Sequence, residues 1–464
     1  MSGDVRVESD SMGEISLSAD SLWGAQTQRA VENFAVSDLR IHPYMLKALC
    51  LIKKHAALAN SSLGLLDEKL AAAVASGADR IVRENKSDQF PIDVFQTGSG
   101  TSWNMNINEV LSNLANLELG GTVGSRTPVH PNDHVNKGQS SNDVIPSAIT
   151  LANRLLLHKT IDHMKSLELS FSKKAGAFQD ILKLGRTHLQ DAVPMTLGQE
   201  FSAFAAQIRQ GRINLESMKA PLSELPLGGT AIGTGLNAHP DFAVKAVEGI
   251  SEETGITFRV MENKFQGISF RSAQVDLMGV INSISSDLMK IANDLRLLTS
   301  GPRSGLGEII LPSLQPGSSI MPGKVNPVIP EMVIQVAAHL QGKALSVSIA
   351  NQHGPLQLNM MMPLISHETL SALELLAETA RVFALNCIDG IEAEKENCLQ
   401  AIEGSLAMVT PVALTIGYDE AARIAYKAYK EKRPVRQVLY ESGLLSREEV
   451  DRLLDPSGMT GEQI

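Results

Sequence analysis

Apolar residues recur three and four positions apart over several long stretches of the chain, and this spacing predicts α-helices. In the clearest stretch, 276–300, leucines and isoleucines follow a heptad spacing from Leu277 to Leu298, and Gly301-Pro302 ends the pattern. Similar patterns cover 142–175, 196–220, 331–350 and 366–388. Because the 276–300 stretch is apolar on several sides, other helices must surround it. The five stretches therefore predict a bundle of long helices.

The chain on either side of this bundle has a different character. Residues 1–140 are interrupted by segments that contain Gly and Pro, and the composition becomes polar after about residue 390. We therefore expect three domains: a mostly helical N-terminal domain (1–140), the long-helix bundle (141–390) and a small C-terminal helical domain (391–464). Since one chain does not readily cover five apolar helices, we also expect the bundle to form a homo-oligomer.

Composition narrows the class of protein. Aromatic residues make up only 4% of the chain, which favours helices over sheets. The net charge is −10 and there is no basic block, so no feature indicates binding to nucleic acid or to a membrane surface. The polar N-terminus lacks a signal-peptide pattern and no apolar run is long enough to span a bilayer, so we expect a cytoplasmic protein. The three cysteines have no metal-binding spacing and are expected to be buried thiols.

Small hydrogen-bonding residues are concentrated in the opening stretch and in three further segments, which are interpreted as loops. These three segments are "TGSGTSWNMNINE" (97–109), "HPNDHVNKGQSSND" (130–143) and "GRTHLQD" (185–191). Each combines glycine with neutral donors such as Ser, Thr, Asn or His. Any one of them could simply cap a helix. Four such segments contain more donors than caps require, which favours an anion-binding site.

The segment "PGSSIMPGKVNP" (316–327) superficially resembles a phosphate-binding loop. A Walker loop has four residues between its first Gly and the Gly-Lys pair, followed by Ser or Thr. Here five residues separate Gly317 from Gly323, and Val325 follows Lys324. The segment is therefore not interpreted as a nucleotide site, but as a stiff loop that presents two serines, a lysine and an asparagine.

One histidine stands out as a candidate acid or base. His188 lies in a Gly-Arg-Thr-His segment, and Glu331, at a predicted helix start, is a candidate partner that could orient it. His130 and His134 are four residues apart, but no third ligand is evident, so no metal site is expected. The methionines at 360–362 are interpreted as packing residues.

Together these motifs resemble the fumarase/aspartase superfamily, and most closely the class II, metal-independent fumarate hydratases. The resemblance extends over nearly the whole chain, from 10–34 to 409–428, and "GSSIMPGKVNP" (317–327) is the superfamily signature. It implies a mostly α, three-domain fold. It also implies that the five-helix bundles associate as a homotetramer with a 20-helix core, and that loops of three subunits form each active site.

The resemblance also implies roles for individual residues. Ser318 matches the catalytic base, and His188 with Glu331 matches the pair that handles water or the leaving group. Lys324 and Asn326 match residues that hold a substrate carboxylate. The further expected substrate-binding residues are Ser99, Gly100, Thr101, Ser140, Ser141, Asn142, Thr187, Ser319 and Val325. A second dicarboxylate site near the entrance is expected at His130, Pro131, Asn132 and Asp133.

The implied reaction is the reversible hydration of fumarate to (S)-malate in the citric acid cycle, with no cofactor and no metal. The alternatives are an aspartate ammonia-lyase and a catalytically inactive structural member of the superfamily. "QTGSGTS", "QSSND" and the "GEI" at 307–309 are fumarase-like, whereas "LQDAVPMTLGQEF" and "PVIPEMV" resemble aspartases, and 354–363 departs from the fumarase pattern. Because the fumarase-like features lie in the loops expected to contact substrate, fumarate hydratase is the preferred interpretation. The catalytic residues are intact, which argues against an inactive member.

Overall fold

A computed structural model describes residues 4–461, and most of them are α-helical, as the sequence predicted. Apart from the long helices described below, the α-helices that lie before residue 272 are α1 (Ala25–Asn33), α2 (Pro43–Ser62), α3 (Glu68–Arg83), α4 (Thr101–Glu118), α7 (Phe242–Thr254) and α8 (Lys264–Ser269). The C-terminal helices are α12 (Lys395–Gly404), α13 (Thr410–Ile416), α14 (Tyr418–Glu431), α15 (Val435–Ser442) and α16 (Arg447–Leu453).

Five long helices lie where the hydrophobic spacing predicted them. They are α5 (Ser141–Ala177), α6 (Leu197–Ser217), α9 (Ser272–Leu298), α10 (Val328–Asn351) and α11 (Met362–Asn386). The leucines and isoleucines of the α9 heptad, from Leu277 to Leu298, are all buried, which confirms that this seam faces the protein interior.

The strands are short and form two-stranded sheets. Antiparallel pairs join β1 (Val5–Asp10) to β2 (Gly13–Ser18), β3 (Leu182–Thr187) to β4 (Gln190–Thr196), and β7 (Ile309–Ile310) to β8 (Glu392–Ala393). A parallel pair joins β5 (Glu224–Leu225) to β6 (Arg259–Val260).

The chain divides into two compact units. The first consists of Met1–Ile161, Asn214–Ser283 and His339–Leu376. The second consists of Asp162–Ile213, Ile284–Ala338 and Ala377–Ile464. Each of the five long helices has residues in both units. The three-domain division at residues 140 and 390 stays a prediction.

Two segments that were interpreted as loops are largely regular structure. Helix α4 begins at Thr101, so only the first four residues of 97–109 precede it. The 185–191 segment belongs mainly to the β3–β4 hairpin, and only His188 and Leu189 form its turn. Glu109 of α4 bonds to residues 24–27 and Arg186 of the hairpin pairs with Glu308, so contacts with distant residues help to stabilise regular structure in these polar sequences.

In the first unit, a buried carboxylate joins two helices. Glu109 of α4 accepts hydrogen bonds from the backbone N–H groups of Gly24 (2.9 Å), Gln26 (3.0 Å) and Thr27 (3.2 Å) at the start of α1. The Thr27 hydroxyl donates a fourth bond, at 2.6 Å. Burial raises the pKa of Glu109, although these four donors oppose the shift. A carboxylate at a helix N-terminus satisfies N–H groups that have no partner within the helix.

The second unit has an apolar core with two parts. Five phenylalanines with ring centroids 5.2–6.2 Å apart form one part: Phe171, Phe178, Phe201, Phe204 and Phe383. In the other part, buried residues of the C-terminal helices, among them Val412, Ile424 and Val438, cluster with Leu184 of β3. This second cluster joins the C-terminal helices to the β3 strand.

The three cysteines are free and buried, as the sequence predicted. Burial raises the pKa of the Cys50 thiol, and raises those of Cys387 and Cys398 to about 12. Within residues 4–461, none of the single helices has the length and apolar character needed to cross a bilayer. One pair of consecutive segments reaches this length and apolar character only when the two are combined. The pair is Lys395–Gly404 with Leu406–Ile416, and it is bent by 60°.

Removing the Glu109 carboxylate should destabilise the first unit. We expect Glu109→Ala to cost about 2–4 kcal/mol, because three backbone donors and one hydroxyl lose a buried acceptor. The measurement is the apparent melting temperature. Glu118→Ala is the matched control, since Glu118 is an exposed glutamate in the last turn of the same helix. Equal melting temperatures for the two variants would contradict this role of Glu109.

Candidate active site

Hydroxyl groups cluster in the turn that precedes α4. Ser99 Oγ and Thr101 Oγ1 are 2.7 Å apart, and both residues are partly exposed. The N–H of Ser102 donates to Thr97 Oγ1 at 3.1 Å, and that of Trp103 donates to Gln96 Oε1 at 3.2 Å. These two bonds satisfy donors of the first helical turn. The Ser99 and Thr101 hydroxyls are therefore not needed as caps, and they bond to each other.

The divergent 354–363 segment supports this turn. The N–H of Met362 donates to the carbonyl of Gly98 at 3.0 Å, and a Cβ at Gly98 would lie only 2.1 Å from the Met360 carbonyl oxygen. Only glycine permits so close a backbone approach. Met362 is fully buried whereas Met360 is 52% exposed, so the interpretation of 360–362 as packing residues holds for Met362.

The expected second site forms a compact turn. Residues Pro131–Val135 make one π-helical turn, and the His130 Nδ1 atom accepts the N–H groups of Asn132 (3.3 Å) and Asp133 (3.2 Å). The N–H of His130 in turn donates to His134 Nδ1 at 2.8 Å. The two histidines are therefore engaged with the backbone. Among residues 4–461, no group of three or more His, Cys, Asp or Glu side chains is arranged to hold a metal ion.

Ser140, Ser141 and Asn142 lie at the start of α5 and are partly exposed. The N–H of Asn142 donates to Ser140 Oγ at 3.2 Å, and the Asn142 side chain donates to the carbonyl of Ala231 at 2.8 Å. The buried Asp143 accepts the N–H of Ser140 at 2.9 Å. These bonds fix the backbone of the segment and leave the hydroxyl of Ser141 free within the described residues.

Thr187 and His188 lie at the exposed tip of the β3–β4 hairpin. Thr187 pairs with Gln190, and φ is +55° at His188 and +60° at Leu189, which is the φ pattern of a type I′ turn. Asn and Gly usually occupy these positions, and a residue with a larger side chain costs on the order of 1 kcal/mol or more there. The hairpin therefore presents His188 in a strained conformation, which is a common property of functional sites.

A buried ionic network lies at the base of this hairpin. The Glu308 carboxylate, which is fully buried, is 2.7 Å from Arg186 Nη1 and 2.9 Å from Lys183 Nζ. Lys183 also pairs with Glu200 at 2.6 Å. Because Arg186 is two residues from His188, this network anchors the strand that carries the histidine. The sequence motifs contained Arg186 and Glu308, but nothing in the linear sequence indicated that they form an ion pair.

The signature loop directs backbone donors at its first serine. Ser318 Oγ accepts the N–H groups of Ile320 (3.3 Å) and Met321 (2.9 Å). Two donors that point at one hydroxyl oxygen stabilise negative charge on that oxygen.

Two further contacts close the signature loop. The N–H of Gly317 donates to the carbonyl of Lys324 at 3.0 Å, and the Asn326 side chain donates to the carbonyl of Gly317 at 2.7 Å. A Cβ at Gly317 would lie 2.4 Å from the Lys324 carbonyl oxygen, so this closure requires glycine. Lys324 itself is exposed to solvent.

A cavity of about 1250 Å³ adjoins the signature loop in the second unit. Of the expected site residues, Lys324, Val325, Asn326 and Glu331 line this cavity, whereas Ser318 and Ser319 do not. His188 and Glu331 form no hydrogen bond or ion pair with each other in the described chain, so their pairing stays a prediction. The expected residues from Ser99 to Asn142 belong to the first unit, and those from Thr187 to Glu331 belong to the second.

Comparisons with known proteins give one consistent result. A family model described as Lyase matches residues 13–342, and one described as Fumarase C C-terminus matches residues 408–461. The chain is 45% identical to a class II fumarate hydratase of Nitrosomonas europaea, over 98% of this chain and 99% of that protein. It is 47% identical to one of Halobacterium salinarum, over 99% and 98%. The crystal structure of a class II fumarase from Schistosoma mansoni is 36% identical, with a TM-score of 0.96 over 99% of each chain.

Neutralising Glu308 should loosen the hairpin. We expect Glu308→Gln to cost about 2–4 kcal/mol, because Arg186 loses its buried counter-ion while Lys183 keeps Glu200. The apparent melting temperature should fall, and hydrogen exchange of the backbone amides at 184–190 should accelerate. Glu396→Gln is the control, since Glu396 is an exposed glutamate that lines the cavity. Unchanged exchange at 184–190 in Glu308→Gln would refute the anchoring role.

Proposed function

The chain belongs to the class II fumarate hydratase family, and we propose that it catalyses the reversible hydration of fumarate to (S)-malate. The observation that carries the proposal is the intact signature loop, with two backbone donors on Ser318 Oγ, in a chain that matches class II fumarate hydratases over nearly its whole length. The enzyme is then a carbon–oxygen lyase. We place its reaction in the citric acid cycle and, as expected from the sequence, in the cytoplasm.

In the direction from malate to fumarate, the proposed mechanism begins with the removal of a proton. In the proposed mechanism Ser318, as an alkoxide, takes the proton from C3, and the electron pair moves into the adjacent carboxylate to give a doubly negative aci-carboxylate. The C2–oxygen bond then breaks and the leaving hydroxide, protonated by an acid, departs as water. The N–H groups of Ile320 and Met321 support the role of Ser318, because they stabilise the alkoxide before the proton moves.

The substrate is a dianion and the chain itself carries a net charge of −10, so positive potential must be concentrated locally. Lys324 supplies a full charge beside Asn326 in the cavity. The remaining donors that we assign to the carboxylates are neutral. They are the side chains or backbone groups of Ser99, Gly100, Thr101, Ser140, Ser141, Asn142, Thr187, Ser319 and Val325. Donors that are already oriented stabilise the developing charge without reorganising.

We assign the handling of water to His188, oriented by Glu331. The strained turn at the hairpin tip and the buried network beneath it support this assignment, because both restrict the position of the backbone that carries the imidazole. His188 then delivers a proton to the leaving hydroxyl in dehydration and removes one from water in hydration.

We further propose that four chains associate through the long helices and that loops of three subunits complete each site. Large apolar side chains exposed on these helices in the single chain support association. They are Leu169 on α5, Ile213 on α6, and Leu345 and Ile349 on α10, which are 44–63% exposed. The three-domain organisation with boundaries near 140 and 390 is part of this proposal, since it assigns the associating helices to one domain.

We also propose a second dicarboxylate site at His130, Pro131, Asn132 and Asp133. The N–H groups of Asn132 and Asp133 are suitable anion donors, but the His130 ring accepts both. An anion that uses these donors would therefore have to displace the ring.

The first test distinguishes hydration from ammonia addition. The purified protein should consume fumarate without ammonium and produce malate, as followed by loss of the double-bond absorbance and by product analysis. A requirement for ammonium, with aspartate as product, would instead identify an aspartate ammonia-lyase.

We propose that no metal takes part, so a chelator should leave the rate unchanged. A loss of activity that added metal restores would contradict this part of the proposal.

The second test removes the proposed base. Ser318→Ala should reduce kcat by about 10²–10⁴-fold, because the C3 proton loses its acceptor. The helical circular dichroism and the mass of four chains in solution should be unchanged. Ser304→Ala is the control and should retain full activity, because Ser304 is an exposed serine that precedes the loop and does not line the cavity. Near-normal turnover by Ser318→Ala would exclude Ser318 as the base.

A further inference from the structure

A lysine is completely buried in the first unit. Lys53 of α2 has no exposed surface, and its ammonium donates to Asn136 Oδ1 at 3.0 Å and to Gln139 Oε1 at 2.9 Å. Lysine is almost never fully buried unless it is paired. Both acceptors lie in the polar segment that leads to Ser140, and neither is charged. The mechanism proposed above does not use Lys53.

Asn136 is the centre of this polar cluster. Its side-chain oxygen accepts from Lys53 and also from the side-chain amides of Asn104 (3.1 Å) and Asn108 (3.2 Å) on α4. Its own amide donates to the carbonyl of Gln139 at 3.2 Å. Because an ammonium group can only donate hydrogen bonds, the oxygen of the Asn136 side-chain amide, and not its nitrogen, must face Lys53. The lysine therefore sets the orientation of a side chain that joins α2, α4 and the 130–140 segment.

A buried carboxylate holds the other end of the same segment. Asp143 has no exposed surface and accepts the backbone N–H groups of Ser140 (2.9 Å), Gly228 (2.8 Å) and Thr230 (3.0 Å). The nearby bond from Asn142 to the carbonyl of Ala231 joins the same two stretches of chain. Asp143 thus ties the start of α5 to residues 228–231.

The two buried groups have opposite charges and influence one another. Burial lowers the pKa of Lys53 to about 7, and the charge of Asp143 opposes this shift. Burial raises the pKa of Asp143 to about 6, against its three backbone donors and the charge of Lys53. Each charge therefore makes the other easier to keep in the interior. The segment between them contains Ser140, Ser141 and Asn142.

We propose that Lys53 and Asp143 are positioning residues that hold Ser140, Ser141 and Asn142 in the geometry that binds a substrate carboxylate. This inference rests on the proposed function. It assigns to the pair a role in substrate affinity, because the donors of Ser140–Asn142 must be aligned before the ligand arrives. Neither residue is assigned contact with the substrate.

The test uses Lys53→Met, which keeps most of the length of the side chain and removes its charge and its donors. We expect the KM for fumarate to rise at least about tenfold, while kcat changes by less than about threefold. Lys54→Met is the matched control, because Lys54 is the next residue on α2 and its ammonium pairs instead with Asp79 and Glu253. The control should leave KM unchanged. A residue with only a structural role would lower the melting temperature and the active fraction but not shift KM.

A double-mutant cycle tests whether the two residues act together. Asp143→Asn should also raise KM, and the increase in the Lys53→Met/Asp143→Asn double variant should be smaller than the product of the two single increases.

If Lys53→Met does not fold, Gln139→Met, which removes one acceptor of the ammonium, should raise KM in the same direction. An unchanged KM in folded Lys53→Met or Gln139→Met, or full multiplicativity in the cycle, would overturn the inference. Failure of the unaltered protein to hydrate fumarate would instead overturn the proposed function, and with it this assignment.

Discussion

The hydrogen bond from a backbone N–H group to a side-chain oxygen stabilises three of the polar motifs of this structure. Glu109 collects three such donors at the start of α1, and Asp143 collects three around the start of α5. Ser318 collects two within the signature loop. Backbone donors are fixed once the chain has folded and carry no net charge. They therefore suit an acidic protein that must stabilise negative charge at defined points.

Buried side-chain charges complement these donors. Glu308 pairs with Lys183 and Arg186 at the base of the hairpin that carries His188. Lys53 donates to Asn136 in the segment that leads to Ser140. Buried charges contribute little net stability, because their desolvation offsets their attraction. Their main effect here is geometric: each network joins a polar motif to a rigid helix or strand. In the mechanism that we propose, this rigidity keeps donors aligned with the carboxylates of a dianion.

The divergent 354–363 segment has a structural role in the same region. It passes directly beneath the Ser99–Thr101 turn, where Met362 donates to the Gly98 carbonyl and the Met360 carbonyl excludes any side chain at residue 98. The segment departs from the fumarase pattern in its side chains, whereas its contact with the turn is made by backbone atoms. Backbone contacts tolerate such side-chain changes, so this departure is compatible with the family to which the chain belongs.

The sequence by itself determined the long helices, the buried thiols and the residues of the signature motif. Helices follow from apolar spacing within a few turns, so the predicted bounds of α5, α6, α9, α10 and α11 lie within a few residues of the observed ones. Only the tertiary structure decided that 185–191 forms a hairpin, and that Lys53 reaches Asn136, 83 positions away. Likewise, Arg186 meets Glu308 across 122 positions. Such contacts depend on how distant segments pack against one another, and no local pattern of residue types encodes that packing.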